Sequence, residues 1–229
     1  MSRARVLDAL AGRIASMSLG RPIRVAIDGR LGSGKTMMAE ELAALLRARG
    51  RRVIRASIDG FHRPKTARYA RGRSSPQGYY EDAYDLDAVA TLLLRPLGPD
   101  GDRRYRLASF DLENDRPLNQ EPCVAPADAI LVMDGTFLQR PELRSCFDVA
   151  IHVAAADEIA TARAVKRDAA QFHGIAAAEQ IYAERYRPAF VLYDRLCTPQ
   201  SRADVAIDND DLANPGITIR PDGRLGTVT

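Results

Sequence analysis

The chain has 229 residues, 46% of them hydrophobic, and a formal net charge of +3. That is apolar content for one sizeable core, with no shift in composition to divide it, so a single domain over 1–229 is expected. The near-balanced charge argues against a nucleic-acid partner unless the cations gather on one face, and no apolar stretch approaches the roughly 20 residues of a membrane span.

Near the N-terminus, Val6, Leu7, Leu10, Ile14 and Met17 recur at helical spacing, which suits a packing helix better than a secretory signal. A soluble, cytoplasmic protein is the expectation, and a homo-oligomer is left open. Ile23 to Ile27 then reads as a buried strand. It runs into Gly29-Arg-Leu-Gly-Ser-Gly-Lys-Thr36, which fits G-x-x-x-x-G-K-[ST], the phosphate-binding P-loop. Glycines let the backbone curl with its amides inward, and Gly29, Gly32, Ser33 and Gly34 form that cradle. Lys35 brings a compact ammonium to the β- and γ-phosphates of ATP, and Thr36 offers a hydroxyl to Mg²⁺. The bland alternative is a Gly-rich turn between strand and helix. Met38, Leu42, Leu45 and Leu46 share one face of the helix that follows, which Gly50 stops.

Arg52 to Asp59 reads as a second strand ending in a carboxylate, completing a βαβ unit. Asp59 sits where a parallel sheet delivers side chains to a ligand, and a kinase needs such a base; a turn aspartate before Gly60 is the alternative. Residues 62–80 lack apolar periodicity and carry Arg63, Lys65, Arg68, Arg71 and Arg73, a basic loop that either closes over an acceptor bearing a carboxylate or phosphate or is simply solvated. Asp85 to Leu94 reads as a short helix, and Arg104 to Phe110 alternates like a strand. Asp128 to Asp134 is a near-continuous apolar run ending in an acid, as expected of a parallel strand covered on both faces. Asp148 to Val153 and Ala203 to Asp208 are further strands, 157–171 and 176–194 are helical patterns, and 214–229 reads as a tail or small hairpin. Cys123, Cys146 and Cys197 are odd in number and far apart, which suits neither a disulfide framework nor a metal site.

Alternating strands and helices predict an α/β fold of the P-loop NTPase type, a mostly parallel sheet with helices on both faces. A guanine-reading N-K-x-D motif would mark a GTPase, but the lysines are Lys35, Lys65 and Lys166 and none stands in that context. The chain resembles the phosphoribulokinase and uridine kinase family of P-loop kinases over roughly 22–209. Besides the P-loop, the resemblance rests on Asp59-Gly-Phe-His62, Asp82-Ala-Tyr-Asp85, Val132-Met-Asp134-Gly135, Arg163, Arg167-Asp168, Arg187-Pro-Ala-Phe190 and Ala203-Asp-Val205.

That resemblance implies an ATP- and Mg²⁺-dependent kinase that phosphorylates a hydroxyl of a small, nucleoside-like molecule. Asp59 would be the base, with Lys35, Arg163 and Arg167 stabilising the transferring group and Thr36 with Asp134 around Mg²⁺. It also implies a lid near 157–175 and a substrate-side insertion with a small hairpin near 60–115. His62, Arg68, Tyr79, Phe110, Asp111 and Tyr186 would face the acceptor. Where uridine kinases read the pyrimidine, this chain has Phe110, Asp115 and Ile181, and Tyr79 replaces a ribose-binding aspartate. Apolar groups at such positions forfeit discrimination, so uridine is not the expected acceptor. A sugar, glycerate or pantothenate-type kinase, or a regulatory NTPase without an acceptor, are the alternatives.

Overall fold

Continuous apolar runs become interior strands in the computed structural model, which describes residues 1–226. Strand β1 (Ile23–Asp28) is buried along its whole length, because parallel neighbours flank it and helices cover both its faces. It pairs with β3 (Ile130–Gly135) and β4 (Val149–Ala154), setting Val25 beside Val132 and Val149. Outside these lie β2 (Val53–Ser57) on one side, and β5 (Val205–Asp208) then β6 (Gly216–Ile219) on the other. The six-stranded order is β6-β5-β4-β1-β3-β2, and only β6 runs antiparallel.

Helices α1 (Arg3–Ser16) and α2 (Lys35–Ala48) cover one face, where Leu10, Ile14, Met38, Leu42 and Leu46 meet Ile27, Val132 and Ile151. Burying a side chain such as Leu42 contributes about 1.5–3 kcal/mol. The opposite face is rich in aromatic rings: Tyr79, Tyr80, Phe137, Phe190 and Tyr193 pack over Leu131 and Met133. A charged clamp joins β1 to the start of β4, since Asp148 accepts from both guanidinium nitrogens of Arg21 and from Arg24 N and Nε. None of the described helices is long and apolar enough to cross a membrane.

Three segments differ from expectation. Residues 104–110 do not form one strand: Arg104–Tyr105 pairs with Cys123–Val124 and Phe110–Asp111 with Arg116–Pro117. The rest of the run is drawn elsewhere, because Arg106 N bonds Leu92 O and Ser109 N bonds Gly60 O just beyond β2. The basic segment 62–80 contains a helical turn at Lys65–Arg68 and a helix α3 (Pro76–Asp82), which Ser75 caps through Gly78 N and which buries Tyr79 and Tyr80. Residues 216–219 add an edge strand to the main sheet, and 227–229 of the expected tail lie outside the described residues.

Beyond β4, the expected lid begins as α4 (Asp157–Asp168). A second helical stretch, α5, then runs through Ile175–Ile181, a π turn at Tyr182–Tyr186 and Arg187–Cys197. The extra residue of a π turn rotates the side chains around it, a device common at functional sites. Here Arg185 and Tyr186 both reach one cleft.

Candidate active site

The loop between β1 and α2 is built on backbone that few residues but glycine adopt. Gly32 and Gly34 have φ of 76° and 90°, and a Cβ on Gly32 would lie 2.0 Å from Ala160 O. Gly34 directly precedes α2, so the amides at that helix N-terminus face the loop's hollow. Asn209, at the end of β5, braces the loop from outside by donating to Ser33 O at 2.7 Å.

Lys35 is only 9% exposed. Burial pushes its pKa below the usual lysine value against the pull of Asp59 and Asp134, while Arg167 adds to the lowering. A buried ammonium whose one hydrogen bond is a long contact of 3.5 Å to Arg30 O is poised to take an anionic partner. Thr36 donates its hydroxyl proton to Asp134 Oδ2 at 2.6 Å, and Arg55 Nη2 binds Asp134 Oδ1 at 2.9 Å. Glu40 of α2 holds Arg55 in turn.

Asp59 follows β2, where its amide bonds Ser57 Oγ. Protein rings the carboxyl, yet its side chain is 67% exposed toward the cleft. Crowding by the protein raises its pKa, but His62, Lys35 and Tyr84 together outweigh that and hold it below the usual carboxylate value. His62 Nδ1 donates to Ala83 O at 3.0 Å, which leaves Nε2 at 3.5 Å from Asp59 Oδ1. Tyr84 stacks on His62, donates to Asp59 at 3.4 Å and accepts from Thr136 at 3.1 Å.

A cavity of about 300 Å³ opens beside Asp59, lined by His62, Arg68, Tyr79, Tyr84, Asp168 and Tyr186 among others. Larger hollows lie elsewhere, one between α1 and α2 and one beside Asp194, but neither reaches Asp59 or Lys35. Size is therefore a poor guide to the chemistry here.

Most of the residues singled out from the sequence gather around this centre, but three do not. Arg163 spends both guanidinium ends on the main-chain oxygens of Asn209 and Asp210, which anchors α4 to the loop after β5. Phe110 is buried away from the cavity, and Asp111 is engaged by Asn114 and Arg116, so Leu112 is the residue of that hairpin that reaches the lining. Arg167 binds Asp168 in a fork, and Tyr182 donates to Asp168 at 2.6 Å. Tyr84, Arg185 and Asp168 were not assigned a role at the cleft from the sequence. Tyr84 lies inside the Asp82-Ala-Tyr-Asp85 stretch and was within reach, whereas Arg185 depends on the π turn, which leaves no mark in the apolar spacing.

The donor set suits a hard divalent cation. Thr36 uses its proton on Asp134 and keeps its oxygen lone pairs free, with a carboxylate directly behind it. Among the described residues no cluster of three His, Cys, Asp or Glu forms a closed metal cage. That is the usual situation for Mg²⁺, which is held largely by phosphate oxygens and water.

A uridine kinase of Lactobacillus helveticus (strain DPC 4571) is 27% identical over 150 residues, covering 66% of this chain and 69% of its own length. A uridine kinase of Leuconostoc citreum (strain KM20) is 28% identical over 152 residues, covering 65% and 69%. A solved structure described as a possible uridine kinase from Bacillus stearothermophilus superposes with a TM-score of 0.70 at 25% identity, covering 89% of this chain and 97% of that one. The model of the phosphoribulokinase / uridine kinase family matches residues 24–211, and the chain belongs to that family of P-loop kinases.

Proposed function

We propose that this protein transfers the γ-phosphoryl group of ATP to a hydroxyl of a small, nucleoside-like metabolite. The observation that carries the reading is Asp59: an ionised carboxylate, open to a cleft, whose pKa is held down by His62 and the P-loop Lys35. A phosphate-cradling helix terminus and a cleft-facing base are the two parts that in-line phosphoryl transfer requires.

In this mechanism the α2 amides and Lys35 hold the β- and γ-phosphates and offset the charge that spreads over the transferring group. Asp59 accepts the proton of the acceptor hydroxyl as its oxygen attacks phosphorus, and the bond to the β,γ-bridging oxygen breaks to release ADP. His62 and Tyr84 keep that carboxylate ionised and oriented. Arg167, held by Asp168 at the end of α4, stands ready to add positive charge from the lid side. Thr36 and Asp134 would hold Mg²⁺, which when bound would supply charge screening of the phosphate oxygens. Uridine is not favoured as acceptor: Asp115 stands near a pyrimidine-reading position, but its Oδ1 accepts from Arg68 and from Lys65 N.

The test is transfer of label from γ-labelled ATP to a panel of nucleosides, sugars and small hydroxy acids. A phosphorylated product that depends on Mg²⁺ supports the proposal. Phosphate release that no acceptor diverts would contradict it.

A further inference from the structure

Resting on that kinase reading, we infer that the acceptor itself carries an anionic group, a carboxylate or a phosphate, which Arg68 receives in the cleft. Arg68 is 7% exposed, and its guanidinium donates from Nη2 to Asp115 Oδ1 at 3.1 Å. Its Nε is buried with no acceptor at all. A guanidinium presents five donors, and enclosing it with so few of them satisfied is costly unless something completes the set. Aspartate Asp115 offsets its charge but leaves most of the fork unmatched.

The surroundings keep Arg68 available at the cleft. Its guanidinium lies 5.4 Å from the centre of the Tyr69 ring, and the Arg185 guanidinium is 5.1 Å from the same ring. Arg185 is committed to the main-chain oxygens of Gly72 and Arg73, so it acts as a clamp that sets the 69–73 loop against the cavity. Lys65 also lines the cavity. The lining carboxylates do not cancel these cations. Asp168 is occupied by Arg167 and Tyr182, and Asp59 is the base. A neutral acceptor would leave Arg68 as it stands. A carboxylate or phosphate would satisfy it, because a planar fork matches two anionic oxygens at once.

Calorimetric titration of matched probes tests this on the full chain, with the P-loop first filled by a non-hydrolysable ATP analogue and Mg²⁺ so that no probe occupies it. The probes are glycerol against glycerate and glycerol phosphate, and ribose against ribose phosphate. The charged members should bind at least about tenfold more tightly than their neutral counterparts, and the stronger of the two charged classes identifies carboxylate or phosphate. Arg68→Gln should remove that preference without changing affinity for the analogue, and Arg68→Lys should restore part of it. If Arg68→Gln does not fold, Lys65→Gln at the exposed edge should still weaken the charged probes several-fold. Equal binding of charged and neutral members, no binding by any charged probe, or an Arg68→Gln variant with unchanged preference overturns the inference. Asp59→Asn separates it from the assigned base: anion preference should survive that change, and normal turnover in it would refute Asp59 as the base alone, whereas phosphate release that no acceptor diverts would refute the kinase reading. Transfer to neutral acceptors with charged ones ignored would refute the anion site alone.

Discussion

Replacing Asp148 by asparagine should weaken the clamp that joins β1 to β4, and the size of the effect follows from its partners. Burial raises the Asp148 pKa, but the hydrogen bonds and charges of Arg21 and Arg24 bring it down to about 2 from an ordinary 3.8. At roughly 1.4 kcal/mol per pKa unit, that difference stabilises the folded chain by about 2 kcal/mol at neutral pH. The depressed pKa means the contribution is complete above the unfolded value of 3.8 and disappears as pH falls through 2. Asp148→Asn also strands the Arg24 guanidinium, 4% exposed, without its counter-charge. Breaking a buried pair in this way costs roughly 3–5 kcal/mol. Urea unfolding of both proteins at pH 7 should show that gap, and by pH 3 it should narrow by about 1 kcal/mol as the wild-type carboxylate begins to protonate more readily in the unfolded chain. A gap independent of pH would refute the assigned ionisation of Asp148.

Two other outcomes concern the site itself. Gly34→Ala places a Cβ 2.5 Å from Asn209 Nδ2 at a φ of 90°, so calorimetry should show ATP affinity reduced by at least about tenfold. Unaltered affinity would mean that the loop does not hold the phosphates in this conformation. In His62→Ala the strongest of the groups lowering the Asp59 pKa is gone, so the acid limb of the kcat/KM profile should move to higher pH. An unmoved limb would mean that Asp59 does not govern activity on the acid side.

The P-loop was legible in the sequence because its requirements are local: positive φ at Gly32 and Gly34 and a helix beginning at Lys35. The acid of β3 was legible for a related reason, since a parallel strand buried on both faces reads as an apolar run and its end is marked by the first charge, Asp134; β2 is an edge strand with Arg55 inside it, and Asp59 comes two residues after its end. Arg163 was misplaced because its partners, two main-chain oxygens beyond β5, are set by tertiary contact and not by helical spacing. The alternation of 104–110 suggested a strand, but a strand needs a partner along its length, and Leu92 and Gly60 took the amides of Arg106 and Ser109 instead. Arg68 stood in a basic loop that read either as closing over an acceptor or as solvated, and nothing in the spacing singled out Arg185. Tyr69 and Tyr79 bury them, and that depends on a helix at 76–82 and a π turn at 182–186, neither of which apolar periodicity announced.

The most direct test of the whole account is Asp59→Asn, with ATP affinity and turnover on the best acceptor from the labelled-ATP screen measured side by side. Because Asp59 lies at the cleft and not in the P-loop, nucleotide affinity should stay within about twofold while turnover falls by roughly a hundredfold or more. Turnover that persists undiminished would contradict the assignment of Asp59 as the base and, with it, the proposed chemistry of this cleft.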